Sequence, residues 1–151
     1  MSGASATQRH WEDAAVGDVL GPLEFPLSVY RLVVAAASNR DFNSIHHNSE
    51  FAKASGAPEM YANTSFLQGM WERVLRDYMG LGGTLRKLSG FRMNSFNCAG
   101  ETVVVNGEVV RTWRDGDTGL AEVRMWSENA GRVSVGPGVA TITLPLRGSD
   151  A

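Results

Sequence analysis

Apolar residues recur at three- and four-residue steps twice in the first half of the chain, then alternate with polar ones through most of the second half. Val29, Leu32, Val33 and Ala36 give one apolar face to a helix that Ser28 caps and that runs to about Ser38. Phe66, Leu67, Met70, Val74, Leu75 and Tyr78 stripe a longer helix. It begins at Asn63 or Thr64, ends near Gly80 and is stopped by Leu81-Gly82-Gly83, with Arg73, Arg76 and Asp77 mostly on the opposite face. Between the two helices, Asn39 to Asn48 reads as a polar loop and Ser49 to Ser55 as a short helix stopped by Gly56. Ahead of them, Trp11 to Gly17 is a lead-in segment and Gly17-Asp18 a turn. Gly21-Pro22 then precedes Leu23, Phe25 and Leu27, which alternate with Glu24 and Pro26. That is a short edge strand, since Pro26 has no N–H for a ladder.

From Thr84 onward the pattern is that of strands. Thr84 to Phe96 is one long candidate and Glu101 to Trp113 another. Arg114 to Asp117 reads as a hairpin turn with Asp-Gly at its centre, and Leu120, Val123, Met125 and Trp126 fall in the partner strand. Asn129-Ala130-Gly131 turns again, and Arg132 to Leu144 is the last strand, with a bulge or bend at Gly136-Pro137-Gly138. Each element has one apolar face, so a long helix followed by meandering strands is best buried by wrapping the sheet around it. The class is α+β, a single domain over residues 11–147, with a flexible start at 1–10 and a tail at 148–151.

Composition narrows the function. The chain has 151 residues, enough to bury a core without disulfides or metals. Fourteen Lys+Arg against sixteen Asp+Glu leave a net charge of −2, too balanced for a chain that mainly neutralises phosphate backbones. No run approaches a membrane span, and the polar first ten residues lack the apolar core of a signal peptide. Cys98 is alone, so an intrachain disulfide is excluded and a cytoplasmic location is expected. His, Cys and carboxylates show no metal-ligand spacing, so no metal is expected.

The chemistry-bearing stretch is Arg40-Asp41-Phe42-Asn43-Ser44-Ile45-His46-His47-Asn48. A carboxylate and an imidazole aimed at one water can take a proton and return one near neutral pH. Spacing alone favours the other reading, a solvated loop whose Asp and Asn close turns by side-chain bonding.

The region Asp41-Phe42-Asn43-Ser44-Ile45-His46, the short helix from Phe51 to Gly56 and the helix at Thr64 resemble the MaoC-like family of (R)-specific enoyl-CoA hydratases, which are hot-dog proteins. The "VGD" turn at Val16-Gly17-Asp18 also resembles the family's opening, and the likeness spans about residues 10–145. The resemblance implies hydration of a trans-2-enoyl-CoA, or the reverse dehydration of a 3-hydroxyacyl-CoA. Asp41 and His46 would be the catalytic pair and the Thr64 backbone N–H the oxyanion donor, with Asn43 and Asn63 in positioning roles. No cofactor is implied, since CoA is part of the substrate. The implied partner is a second hot-dog subunit, in a homodimer or a heteromer. Arg40-Asp41-Phe42 with His46-His47, and Tyr61-Ala62-Asn63 before the long helix, resemble an actinobacterial subgroup acting on steroid side-chain thioesters, in which two different subunits pair.

This sequence departs from the family at Asn63-Thr64, where relatives carry His-Gly, and at Ser44, where many carry Pro. Two other functions stay open. A hot-dog thioesterase would want a carboxylate on the central helix, and Glu72 is the candidate. A non-catalytic acyl-CoA-binding or partner-stabilising subunit is the other. Cys98 reads as a structural thiol, His47 as an exposed neighbour and His10 as incidental. The Phe66/Met70/Val74 stripe reads as core before acyl-tunnel wall. Arg86, Lys87, Arg92, Arg111 and Arg114 are candidates for CoA phosphates, with a solvated sheet face as the alternative.

Overall fold

The computed structural model describes residues 7–148. The expected flexible start and tail therefore lie partly outside the described residues. Within them Gln8 is tied down: its side chain donates to the Met79 carbonyl at 2.8 Å and accepts from Gly82 N–H at 2.7 Å.

Five strands and three α-helices follow in the order β1 (Val19–Pro26), α1 (Val29–Ser38), α2 (Ser49–Ala54), α3 (Thr64–Met79), β2 (Thr84–Ser89), β3 (Thr102–Asp115), β4 (Thr118–Asn129) and β5 (Arg132–Leu144). The strands form one antiparallel sheet in the order β1-β3-β4-β5-β2. It is a hot-dog domain, with α3 packed on the inner face of the sheet.

The alternation in β3, β4 and β5 decides which face meets α3. Val103, Val105, Val109, Ala121, Val123, Met125, Ala140 and Ile142 are all fully buried. Against them α3 presents Leu67, Met70, Trp71, Val74, Leu75 and Met79. Burying side chains of this size contributes about 1.5–3 kcal/mol each. The indole of Trp71 crosses to β4, where Ser127 Oγ accepts its N–H at 2.7 Å, so this buried donor is satisfied. At the other end of the sheet Gly119 is required by close approach: a Cβ there would run into the ring of Trp11.

Four expectations need correction. The strand expected over Thr84 to Phe96 ends at Ser89. The opposing Pro137 of β5 has no N–H to offer, and Gly90, at φ +70°, turns the chain over Gly138. The segment still runs beside β5, with Met93 bridged to Val135 and Asn94 N–H donating to the Ser134 carbonyl. The first strand starts earlier, at Val19, because Gly21-Pro22 is accommodated as a bulge between Leu20 and Leu23 rather than a boundary. The first hairpin turns at Gly116-Asp117, one residue later than expected, since Asp115 and Thr118 already pair. On α1 only Leu32 and Ala36 are buried, while Val29 is 58% and Val33 40% exposed, so the face that α1 buries is narrower than its apolar stripe.

Candidate functional site

Asp41 owes its position to the way α1 stops. Asn39 ends the helix and Arg40 takes the left-handed conformation at φ 54°. Arg40 N–H then donates to the Ala37 carbonyl and Asp41 N–H to the Ala36 carbonyl. This is a Schellman motif, in which glycine normally fills the left-handed position. An arginine there is strained by about 1–3 kcal/mol, and the strain sits directly before the candidate carboxylate.

The loop then closes on itself. Asn43 N–H donates to Asp41 Oδ1 at 3.4 Å, and Asn43 Oδ1 accepts from Ile45 N–H at 3.3 Å. These bonds wind Ser44–His46 into a single 3-10 turn. Asn43 therefore braces the loop, and it reaches Asp41 through its backbone, not its amide. Asn48 caps α2 through Phe51 N–H at 2.9 Å.

The turn buries His46 while the carboxylate of Asp41 stays one-third exposed. His46 Nε2 faces Asp41 Oδ2 at 3.3 Å. His46 Nδ1 lies 2.8 Å from the Tyr61 carbonyl. A carbonyl only accepts, so Nδ1 carries the hydrogen and Nε2 is left to face Asp41. The Tyr61 ring packs edge-on against the imidazole at 5.2 Å and is itself flanked by Phe96 at 4.8 Å. Burial raises the Tyr61 phenol above its ordinary range, with Cys98 and Asp41 adding to the effect.

Asn63 joins this loop to α3. It is buried, in extended conformation, and it caps the helix, its Oδ1 accepting from Phe66 N–H at 2.9 Å and from Asn39 Nδ2 at 3.3 Å. Its Nδ2 donates to Asp41 Oδ2 at 3.1 Å. Asn39, Asn63, Asp41, His46 and the Tyr61 carbonyl form one continuous network. Thr64 is exposed and is the first residue of α3, so its N–H and that of Ser65 have no intrahelical acceptor. There is no carboxylate in the first turn to offset the helix dipole.

Beside this network lies a groove of about 460 Å³ between α1 and the start of α3. It is mainly apolar, walled by Phe25, Tyr30, Val34, Ala35 and Phe66, and Asn39 and Ser65 stand at its polar end. Met70 and Val74 belong to the core, so of the stripe Phe66, Met70 and Val74 only Phe66 reaches the groove.

Other residues named from the sequence lie elsewhere. His47 is exposed, and Cys98 is buried, with burial first and Glu101 second pushing its thiol up. Glu72 is exposed on α3 and lies 4.0 Å from Arg76. Arg111 and Arg114 lie over the rings of Trp113 and Trp11. Three participants were missed: Asn39, Arg40 and Tyr61. The first two sit at the end of the helix pattern, where Asn is a common stop signal. Tyr61 acts through its carbonyl, which leaves no trace in residue type.

No family model matches the sequence. The chain is 30% identical over 135 residues to the 3-oxo-4,17-pregnadiene-20-carboxyl-CoA hydratase beta subunit of Mycobacterium tuberculosis, covering 89% of this chain and 98% of that one. Among solved structures it is similar to the ChsH1-ChsH2 complex from Mycobacterium tuberculosis, with 28% identity and a TM-score of 0.75 over 88% of this chain and 98% of the other. The fold is also that of the (R)-hydratase from A. caviae involved in PHA biosynthesis, at 21% identity and a TM-score of 0.76 over 89% of this chain and 99% of the other. With the Asp41-to-His46 motif entering a hot-dog helix and this extent of likeness, the chain belongs to the MaoC-like hydratase family.

Proposed function

We propose that this chain hydrates the double bond of a trans-2-enoyl-CoA, as the catalytic subunit of an assembly with a second hot-dog chain. The observation that carries the reading is the 3.3 Å approach of His46 Nε2 to Asp41 Oδ2, held from both sides by Asn63 and the Tyr61 carbonyl at the N-terminus of α3. A water bound to both groups is activated by one of them as its oxygen attacks the β-carbon. The displaced proton, or its equivalent held by the pair, goes to the α-carbon, so one molecule of water is consumed and addition is syn. The charge that develops on the thioester oxygen is met by Thr64 N–H, where the helix dipole favours it. The acyl part lies in the groove between α1 and α3. The relative named above acts on a steroid carboxyl-CoA, and a groove of about 460 Å³ has room for a bulky acyl group. A thioesterase is less well supported, since Glu72 sits two helical turns beyond the Asp41–Asn63 network and faces solvent.

The test is the ultraviolet absorbance of crotonyl-CoA and of a bulkier enoyl-CoA with the purified chain. Loss of the enone band without free thiol is the expected outcome, and Asp41→Asn or His46→Ala lowers turnover by about 10²–10⁴. Free thiol would mean a thioesterase, and near-wild-type turnover in both variants would discard the pair. An unchanged band with either substrate supports the non-catalytic subunit or a chain that needs its partner subunit to turn over.

A further inference from the structure

The groove between α1 and α3 is apolar in its middle and polar at both ends. Asn39 and Ser65 form the end next to the catalytic network, where Asn39 bonds Asn63 and Asn63 bonds Asp41. Tyr30 and Arg31 also line it, at the opposite end of α1. Arg31 stands eight positions before Asn39, which along an α-helix is about 12 Å. Between the two ends lie Val34, Ala35 and Phe66. Gly69 lines the groove from the second turn of α3. A glycine inside a helix costs about 1 kcal/mol relative to alanine. Yet a Cβ at Gly69 would meet nothing within 4 Å, and its φ lies outside the positive region. No contact among the described residues requires a glycine there. What the missing side chain provides is width in the groove.

The far end holds donors that the chain itself does not use. Arg31 Nη1 donates to the Pro26 carbonyl at 3.0 Å, which anchors the guanidinium at the groove. No carboxylate among the described residues pairs with it. A guanidinium has five N–H donors, so most of them face solvent. The Tyr30 hydroxyl likewise has no hydrogen-bond partner among the described residues. An acyl chain ending in a methyl group at this point would strip water from these donors and return no bond, which is unfavourable. A chain ending in a carbonyl or carboxylate oxygen would replace that water. The planar, weakly hydrated guanidinium suits either acceptor.

We propose that the far end of the groove recognises a hydrogen-bond acceptor, an oxo or carboxylate oxygen carried by the acyl group about 12 Å from its thioester, and that Arg31 is the residue that selects it. This rests on the acyl group lying in the groove, as in the function proposed above, and the experiment separates the two. The probes are three saturated thioesters, which cannot be hydrated, so binding is read without turnover. They are decanoyl-CoA, the same acyl chain with a ketone next to its end, and the same chain ending in a carboxylate. Isothermal titration measures each against wild type, Arg31→Met and Gly69→Leu, both variants first shown by circular dichroism to fold. Arg31→Met keeps an apolar stem and removes the donors. Wild type is expected to bind one or both acceptor-bearing chains about tenfold or more tighter than decanoyl-CoA, and Arg31→Met to lose that difference. A preference for the carboxylate that fades with salt identifies an anion as the ligand. A preference for the ketone that ignores salt identifies a neutral acceptor. Equal binding of all three by wild type would overturn the proposal, as would a preference that survives in Arg31→Met. Neither result touches the hydration of crotonyl-CoA, whose acyl group is too short to reach Arg31. Gly69→Leu tests the groove itself and is expected to weaken all three. If wild type binds none of them, or Gly69→Leu binds all as tightly as wild type, the acyl group does not lie in this groove and the proposal falls with that placement.

Discussion

The two ends of α3 have been treated in opposite ways. At the C-terminal end the carbonyls are closed off. Gly80 leaves the helix at a positive φ of 71°, Arg76 donates to the Gly80 and Gly83 carbonyls, and Gln8 arrives from the far end of the chain to take the Met79 carbonyl. At the N-terminal end only Phe66 N–H is capped, and Thr64 and Ser65 are left open to solvent with no acidic side chain nearby in the first turn. The closed end serves stability. The open end withholds its donors from the protein, which is what the proposed oxyanion role of Thr64 N–H requires. The single cap at the open end, Asn63, uses its amide N–H on Asp41.

Thr64 offers the largest contrast. Its side chain is not needed for a backbone donor, so Thr64→Gly keeps activity, while Thr64→Pro removes the N–H. Proline suits a first helical position, and Asn63 before it already has the extended conformation that a following proline demands, at ψ 162°. A folded Thr64→Pro enzyme is expected to lose about 10²–10³ in kcat. Turnover equal to wild type in that variant would remove Thr64 from the mechanism.

Asn63→Ala and Gln8→Ala separate the two ends more gently. Each loses side-chain hydrogen bonds at a helix terminus, and each is expected to lower stability by about 1 kcal/mol in urea unfolding. Only Asn63→Ala also frees the Asp41 carboxylate, and a hydrogen bond to a charged group lost from the transition state lowers kcat by about tenfold or more. Its KM should change little. Equal kcat in the two variants would mean that Asn63 acts only as a cap.

The smallest effect concerns acid. The segment that leads into the open end is tied to α2 by Glu59, 2.8 Å from Lys53 Nζ. The Lys53 hydrogen bond foremost, then Ser49 and Met60 N–H, hold the Glu59 carboxyl down from its usual 4.5 to about 2. A depressed acid stabilises the fold above its unfolded value, and that contribution is lost as pH falls from 4.5 to about 2. Glu59→Gln should flatten the stability profile in that window, and an unchanged slope would show that the pair is loose in solution.

Helix periodicity was the most legible part of the molecule. Ser28 caps α1, α3 begins immediately after Asn63, and the strands β3 to β5 fall where alternation put them. These features follow from local chemistry, since a cap or an alternating run is written in neighbouring residues. The strand limits were less legible. Whether Gly90 ends β2 depends on Pro137, which lies 47 positions away in sequence and is brought opposite only by the sheet.

The same division holds at the site. Asp41 and His46 could be chosen from the motif, and their separation along the chain says that they share a loop. Nothing local says that Asn63 bonds Asp41, that the Tyr61 carbonyl fixes the imidazole, or that Arg40 takes a left-handed turn to aim the carboxylate. Those contacts join residues up to 22 positions apart and exist only once α1 and the start of α3 are packed side by side. The sequence by itself determined the elements and named the reactive types. The tertiary structure decided their approach, because distances between side chains on separate elements are set by packing and not by their order along the chain.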